Sequence, residues 1–313
     1  MKKKIVVGSI LAILAIVFGP VVIKQVAPPE ERTFQRVYLA DVVYTEVFFR
    51  NEAQDLDLAG MLFIPDGEGP FPAVVIIHGS RGSYRDRNWY LTLSSYMQKN
   101  GVAVLLPDKR GSEKSQGDWH TSSFEDLATD TLAAIDFMKS QEIMEVSHLG
   151  IIGLSQGGMI APIVASQSPD LEFVINIVGP SVTLHEQLLH EENFTLQEMG
   201  FLSGVSNLFS YASTFVLENI TIKDWWNVVG NFDPLPYWRK ISSPVLVLHG
   251  SEDHNVPSAE SKARFEALGK DNIRVIMYEG SGHGPEDPPG VGDRVIREEA
   301  LSDMLDFITT GIK

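Results

Sequence analysis

The stretch Leu149-Gly-Ile-Ile-Gly-Leu-Ser155-Gln-Gly-Gly-Met-Ile160 decides the fold of this chain. It begins as a short apolar run, reaches Ser155 between Gly153 and Gly157, and continues to residue 167 with the spacing of a helix. Glycine allows a sharp turn and a close approach of strand and helix, which leaves the serine hydroxyl exposed. The stretch therefore predicts a buried strand, a tight turn that presents Ser155, and a helix.

Further short apolar runs lie on both sides of this stretch, mostly without alternation of apolar and polar residues. Strands that are buried on both faces have this composition, which is typical of a parallel sheet covered by helices. The predicted strands are Ala73–Ile77, Val102–Leu106, Leu149–Ile152, Phe173–Val178, Val245–Leu248 and Ile273–Met277.

Segments with apolar residues at helical spacing separate these runs. Alternating strands and helices predict a doubly wound α/β fold with its site at the carboxyl ends of the strands. Upstream, Val42–Phe49 and Leu56–Ile64 are rich in β-branched and aromatic residues, which predicts an antiparallel pair. The predicted helices are Trp89–Lys99, Phe124–Ser140, Gln156–Gln167, Ser258–Leu268 and Arg297–Ile308.

Residues 181–238 interrupt the alternation. They contain no clear strand, and their helical-looking stretches are rich in leucine, phenylalanine, tyrosine and tryptophan. An insertion of this length between two buried strands predicts a helical cap. We expect one domain over residues 42–313 with this cap inserted, preceded by a linker over residues 28–41. We also expect the cap side chains to wall the pocket beside Ser155.

The N-terminal segment, residues 1–27, has the pattern of a membrane anchor. Lys2–Lys4 precede Ile5–Ile23, a run without charge. In a helix about 19 residues rise by roughly 28 Å, close to the thickness of the bilayer core. A signal-peptide cleavage site needs small residues at two positions separated by one residue. The best candidate ends at Ala27, but the bulky Gln25 occupies the first of these positions. We expect an uncleaved anchor with the rest of the chain extracytoplasmic. The alternative is secretion after signal cleavage.

Composition excludes several classes of function. The formal net charge of the 313 residues is −16, so most of the surface repels polyanions, and we expect no nucleic-acid partner. The chain has no cysteine, which excludes a disulfide, a thiolate metal site and a cysteine nucleophile. Hydrophobic residues make up 44%, an ordinary globular composition.

The residues needed to activate Ser155 follow it in the sequence. A serine hydroxyl is a weak nucleophile and needs a base that removes its proton and an acid that orients the base. Asp253 lies in the loop just after the predicted strand Val245–Leu248, and His283 lies in a glycine-rich loop after the next strand. The order Ser155, Asp253, His283 is the one expected for a nucleophile on a strand-turn-helix. Glu252 is the rival of Asp253 as the orienting acid.

On these motifs the chain resembles the α/β-hydrolase superfamily, nearest to its prolyl-oligopeptidase-like and bacterial acyl-hydrolase branch. The resemblance covers roughly residues 43–308 and implies a serine hydrolase without cofactor or metal. It implies that His78-Gly-Ser80-Arg-Gly82 is an oxyanion loop in which the backbone N–H of Ser80 is one donor. The other donor is Gln156, the residue after the nucleophile. The loop Pro107–Gly111 resembles the one after the family's fourth strand, where Arg110 is expected to fix the loop.

His185-Glu-Gln-Leu-Leu-His190 contains two histidines five residues apart, which do not share a helix face, so we expect no metal there.

Three functions remain open at this stage. We expect hydrolysis of a carboxylic ester or thioester of a small molecule through an acyl-serine. A serine peptidase for short peptides is the alternative, because the branch includes both activities. We favour the esterase because we find in this sequence no pattern of the large N-terminal propeller that restricts peptide entry. A non-catalytic, membrane-tethered binding domain is a more distant reading, since every expected triad position is filled.

Overall fold

The computed structural model describes residues 17–26, 32–140 and 144–311. Within these residues, eight strands form one sheet. The strands are β1 (Thr45–Asn51), β2 (Leu56–Phe63), β3 (Phe71–Ile77), β4 (Ala103–Pro107), β5 (Val146–Leu154), β6 (Phe173–Ile177), β7 (Val245–Gly250) and β8 (Ile273–Tyr278). Their spatial order is β1-β2-β4-β3-β5-β6-β7-β8. Strand β2 runs antiparallel to β1 and β4, and the remaining pairs are parallel. The predicted mostly parallel sheet is confirmed.

The described helices lie on the two faces of this sheet or in the segment between β6 and β7, except the first, which contacts that segment. They are α1 (residues 17–26), α2 (Asn88–Lys99), α3 (Phe124–Lys139), α4 (Gln156–Gln167), α5 (Leu184–Glu198), α6 (Ser203–Val216), α7 (Lys223–Val229), α8 (Leu235–Trp238), α9 (Ser258–Ala267) and α10 (Glu298–Thr310). A capping box starts α3, in which the Ser123 hydroxyl accepts from the Asp126 N–H at 3.0 Å.

The inner strands β3, β4, β6 and β7 are apolar without alternation because both of their faces are buried. In β3, the side chain of Val75 packs in one core with α3, α4 and α9. Val74 and Ile76 pack in a second core with α2 and α10. Adjacent strand residues point to opposite faces, so a strand between two helical layers has no polar face.

Helices α5 to α8 lie between β6 and β7, where the sequence predicts an inserted cap. Helix α1 contacts this cap: the rings of Phe18 and Phe201 lie 5.9 Å apart, and Lys24 donates to the backbone oxygen of Gln197. Most of the anchor predicted over residues 1–27 lies outside the described residues. Within the described ranges, no helix is both long and apolar enough to cross a membrane.

Candidate active site

Ser155 lies on the turn between β5 and α4 with φ 54°, a conformation that is rare for a residue with a side chain. The turn is tight because two glycines remove Cβ atoms from it. A Cβ at Gly157 would lie 2.2 Å from the Ile77 carbonyl oxygen, and one at Gly153 would lie 2.4 Å from the Gly157 oxygen. The sequence G-x-S-x-G therefore produces a strained turn that holds Ser155 at the carboxyl end of the central strand.

Asp253 and His283 lie in direct contact at the ends of β7 and β8. The imidazole Nδ1 of His283 is 3.0 Å from Oδ1 and 2.9 Å from Oδ2 of Asp253. The Asp253 carboxylate is buried, and its Oδ1 also accepts backbone N–H bonds from Asn255 and Val256 at 2.8 and 3.0 Å. Its neighbour Glu252 is exposed. This geometry holds the imidazole in one orientation and leaves Nε2 free to act as a base.

Ser155 and His283 line one cavity of about 200 Å³. In the described part of the chain the two side chains form no hydrogen bond, a common state of such sites before substrate binds. The other lining residues are Gly79, Ser80, Arg87, Trp89, Tyr90, Leu154 and Gly284.

Glu286 is a site residue that the sequence interpretation missed. Its carboxylate accepts the backbone N–H of Gly282 and that of Gly284, both at 3.0 Å, and so brackets His283 on either side. Burial lowers the pKa of His283, but the charges of Asp253, Glu191 and Glu286 outweigh burial and raise the pKa above its usual value. The loop residues alone gave no signal for this contact, because a glutamate after a proline in a loop is usually solvated.

The two predicted oxyanion donors lie beside the nucleophile. Ser80 lines the cavity, and Gln156 is the first residue of α4. His78, the first residue of the oxyanion loop, accepts no proton at neutral pH because burial lowers its pKa to about 3, and its Nε2 donates to the Pro107 oxygen at 2.6 Å. The Gly79 N–H donates to the Tyr90 hydroxyl at 2.9 Å, which fixes the loop in place.

Lys109, in the loop after β4, is the second residue that the sequence interpretation missed. Its Nζ donates to the Gly79 oxygen at 2.9 Å and to Gln156 Oε1 at 2.8 Å. The neighbouring Arg110, as expected, fixes this loop: it binds Asp130 with Nε 2.7 Å from Oδ2. A lysine next to an arginine in a loop is usually solvent-exposed, so the sequence did not indicate that Lys109 is buried.

The cap contacts the loop that carries Asp253. From α5, the imidazole of His190 donates to the Asp253 backbone oxygen at 3.1 Å, and Glu191 accepts from Asn255 at 3.2 Å. Phe194 stacks on His254 with ring centroids 4.5 Å apart. The cap side chains that we expected to wall the pocket beside Ser155 do not line this cavity. Its lining residues come from the body of the domain. Helix α5 of the cap packs against the loop that carries Asp253 instead.

No metal cluster occurs among the described residues. The two histidines of the H-E-x-x-x-H stretch have separate partners: His185 contacts Glu218, and His190 contacts the Asp253 backbone.

Known proteins similar to this chain include an esterase and a thioesterase. Residues 88–313, well over half of the chain, match the model of the prolyl oligopeptidase family. Esterase EstD of Thermotoga maritima is 24% identical over 78% of this chain and 62% of its own length. The human acylamino-acid-releasing enzyme is 25% identical over 70% of this chain and 29% of its own length. The chain thus spans less than two thirds of either relative.

The fold is that of solved α/β-hydrolases. An esterase from Pyrococcus furiosus superposes with a TM-score of 0.65 at 18% identity, over 91% of this chain and 100% of its own. Together with the family match and the strand-turn-helix around Ser155, this likeness settles the classification. The chain belongs to the prolyl oligopeptidase family and has the α/β-hydrolase fold.

Proposed function

We propose that this protein is a serine hydrolase that cleaves carboxylic esters or thioesters through an acyl-serine intermediate. Ser155 is the nucleophile, His283 the general base and Asp253 the acid that orients it. The observation that carries the proposal is the cavity of about 200 Å³ in which the strained Ser155 turn meets the imidazole held by Asp253. The esterase relative supports the choice of bond.

The mechanism follows from these positions. His283 Nε2 removes the proton of Ser155 Oγ as the oxygen attacks the acyl carbon, and Asp253 stabilises the imidazolium. The backbone N–H groups of Ser80 and Gln156 bind the oxyanion. The tetrahedral intermediate then expels the alcohol or thiol, which takes the proton from His283. Water attacks the acyl-serine by the same route and releases the acid.

The cavity supports a short acyl group. Its volume, about 200 Å³, is below the 300–1,000 Å³ typical of drug-sized pockets. Trp89, Tyr90 and Leu154 give it apolar walls, and each buried methylene of a substrate contributes about 0.8 kcal/mol. We expect kcat/KM to rise from acetyl to roughly butyryl or hexanoyl esters and then to fall.

A serine peptidase for short peptides is the second candidate function. The family match and the acylamino-acid-releasing relative favour it, because peptide hydrolysis uses the same triad. A membrane-tethered binding domain without activity is the distant third, and the filled triad positions speak against it.

The test is a substrate panel combined with fluorophosphonate labelling. p-Nitrophenyl esters, acyl thioesters and aminoacyl anilides are compared, and the labelled residue is identified by mass spectrometry. Labelling at Ser155 with turnover of esters supports the proposal. Turnover of anilides alone would establish the peptidase. Protein that is not labelled and turns over none of the panel would point to the binding domain.

We also propose that residues 1–27 anchor the protein in a membrane, with the catalytic domain extracytoplasmic. The apolar side chains that α1 exposes next to the cap, Val22, Ile23 and Val26, support contact of this segment with a membrane. Full-length protein should then resist carbonate extraction from membranes. Recovery of soluble protein that begins after Ala27 would establish the secreted alternative.

A further inference from the structure

The loop after β4 buries three consecutive charged residues. The first and the third form ion pairs, and the middle one bonds to neutral groups. Asp108 pairs with Arg85 at 2.7 Å, and Arg110 pairs with Asp130 at 2.7 Å. Within the described residues, Lys109 Nζ bonds only to neutral acceptors, and it lies 5.0 Å above the ring of Trp119. Burial lowers the pKa of Lys109 to about 7. A buried amine without an anionic partner is costly, so its position calls for a physical reason.

The first acceptor of Lys109 belongs to the peptide bond that carries an oxyanion donor. The carbonyl of Gly79 and the N–H of Ser80 are parts of one peptide group. Because a trans peptide is planar, its C=O and N–H point in opposite directions. Lys109 holds the Gly79 oxygen at 2.9 Å, and this contact therefore fixes the direction of the Ser80 N–H.

The same peptide segment packs against the nucleophile turn. A Cβ added to Gly79 would lie 3.6 Å from the Cβ of Ser155. The Gly79 N–H is held by Tyr90, so Gly79 is fixed on its amide side by Tyr90 and on its carbonyl side by Lys109. A rotation of the Gly79–Ser80 peptide requires the loss of the lysine contact.

The second acceptor of Lys109 is the side chain of the other donor residue. Gln156 Oε1 accepts from Nζ at 2.8 Å, and the backbone N–H of Gln156 is the second expected oxyanion donor. One amine thus joins the two segments, from the β3 loop and from α4, that supply the two N–H groups. A neutral amine keeps two N–H donors, so both contacts persist in either protonation state.

We propose that Lys109 is a positioning residue that sets the mutual orientation of the Ser80 and Gln156 N–H groups for the oxyanion. This inference rests on the proposed serine-hydrolase function. Lys109 itself does not touch the reacting atoms; it acts through the Gly79–Ser80 peptide and Gln156.

The test compares Lys109→Met with Lys114→Met in the full-length protein. Lys114 belongs to the same loop but is exposed, and it pairs with Glu46 on the surface. For Lys109→Met we expect kcat to fall about 10- to 100-fold with KM within about threefold, less than the roughly 10²–10³ lost with a donor itself. Lys114→Met should match the wild type.

A trifluoromethyl ketone separates positioning from a merely structural role. It adds to the serine and forms an anionic tetrahedral adduct that needs the two N–H donors. Its inhibition constant should rise by the same factor by which kcat/KM falls, while fluorophosphonate still labels the whole sample. An unchanged inhibition constant, or a loss of activity equal to a loss of labelled fraction, would overturn the inference.

Lys109→Gln serves where the methionine variant fails to fold. It keeps one N–H donor for the Gly79 oxygen and should retain more of the ketone affinity than Lys109→Met. Wild-type affinity in every folded Lys109 variant contradicts the inference and leaves the proposed function standing. A wild-type protein that fluorophosphonate does not label at Ser155 would instead contradict the proposed function.

Discussion

Burial differs between the loops that carry the candidate triad and the inserted cap. The loops bury polar side chains, whereas the cap exposes apolar ones. Ser155 and Asp253 are only 8% and 4% exposed, and the Asp253 carboxylate has partners within the protein. On helix α6 of the cap, Leu208 and Phe215 are 70% and 63% exposed. That helix also contains no charged residue.

This difference indicates where substitutions will matter. A buried polar group with fixed partners leaves those partners unsatisfied when it is changed, and at a reacting centre it also misplaces the chemistry. Replacing an exposed apolar side chain that has no partners changes few contacts and has little effect on the free energy of unfolding. We therefore expect a gradient of effects that falls from the Ser155 turn to the outer face of the cap.

Ser155→Ala should have the largest effect. It removes the nucleophilic oxygen but keeps the turn, and loss of a triad serine costs roughly 10⁶ in kcat in the best-studied case. Steady-state kinetics and fluorophosphonate labelling provide the measurement. Labelling at another serine in this variant would remove Ser155 from the mechanism.

Asp253→Asn should come next, with a loss of about 10⁴ in kcat, because an amide presents the wrong partner to the imidazole N–H. Glu252→Gln is the matched control. Glu252 is exposed, and its conversion should change kcat by a small factor at most. If the two variants rank in the reverse order, the orienting acid is Glu252.

The elements predicted from sequence are those in which one physical requirement dominates. Strands such as β3, β4, β6 and β7 are buried on both faces, so their apolar runs predict them, as Ala73–Ile77 did for β3. The turn at Ser155 needs glycine on both sides, and this need produces the G-x-S-x-G signal. Asp253 and His283 follow buried strands, where a parallel sheet brings side chains together.

The residues that the sequence interpretation missed act through contacts between distant segments. Glu286 bonds to backbone N–H groups around His283, and Lys109 bonds to a backbone carbonyl 30 residues away. Backbone groups carry no sequence signal, so only the fold reveals their partners. The placement of the cap is similar: its composition predicts helices, but the contact between His190 and the Asp253 loop depends on tertiary packing.

Glu286→Gln should have a moderate effect and a pH signature. Loss of one acceptor for a backbone N–H should lower kcat roughly tenfold. Because the Glu286 charge helps to raise the pKa of His283, the acid limb of kcat/KM should lie above the ordinary histidine value of about 6.5 in the wild type and shift to lower pH in the variant. The base must be neutral to act, so a raised pKa means lower activity on the acid side. An unshifted limb in the variant would show that Glu286 does not act on the imidazole.

Arg87→Met should have a smaller effect that depends on the substrate. Arg87 is the only side chain of fixed charge among the described residues that line the cavity. A monosuccinyl ester should be preferred over the uncharged butyryl ester of the same length, and the variant should lose up to about fivefold of this preference, the value of an exposed ion pair. Equal ratios of kcat/KM for the two substrates in wild type and variant would exclude Arg87 from substrate recognition.

The smallest effect on catalysis is expected on the outer face of the cap, where Leu208→Ser combined with Phe215→Ser should leave turnover of a soluble ester unchanged. The free energy of unfolding should change by no more than about 0.5 kcal/mol, as for most surface substitutions.

The same outer face of α6 is expected to contact the bilayer beside α1. Much of the apolar surface that the described residues expose lies on α1 and the cap, for example Val22, Leu208 and Ile220. The chain has no native cysteine, so Leu208→Cys can carry a single polarity-sensitive nitrobenzoxadiazole dye. With the full-length protein in phosphatidylcholine vesicles, the dye at position 208 should shift to the blue, and the same dye on Glu68→Cys in an exposed body loop should not. A water-like spectrum at position 208 in vesicle-bound protein would restrict membrane contact to the N-terminal segment, and a blue shift that depends on protein concentration without vesicles would identify a second copy of the chain as the partner of α6.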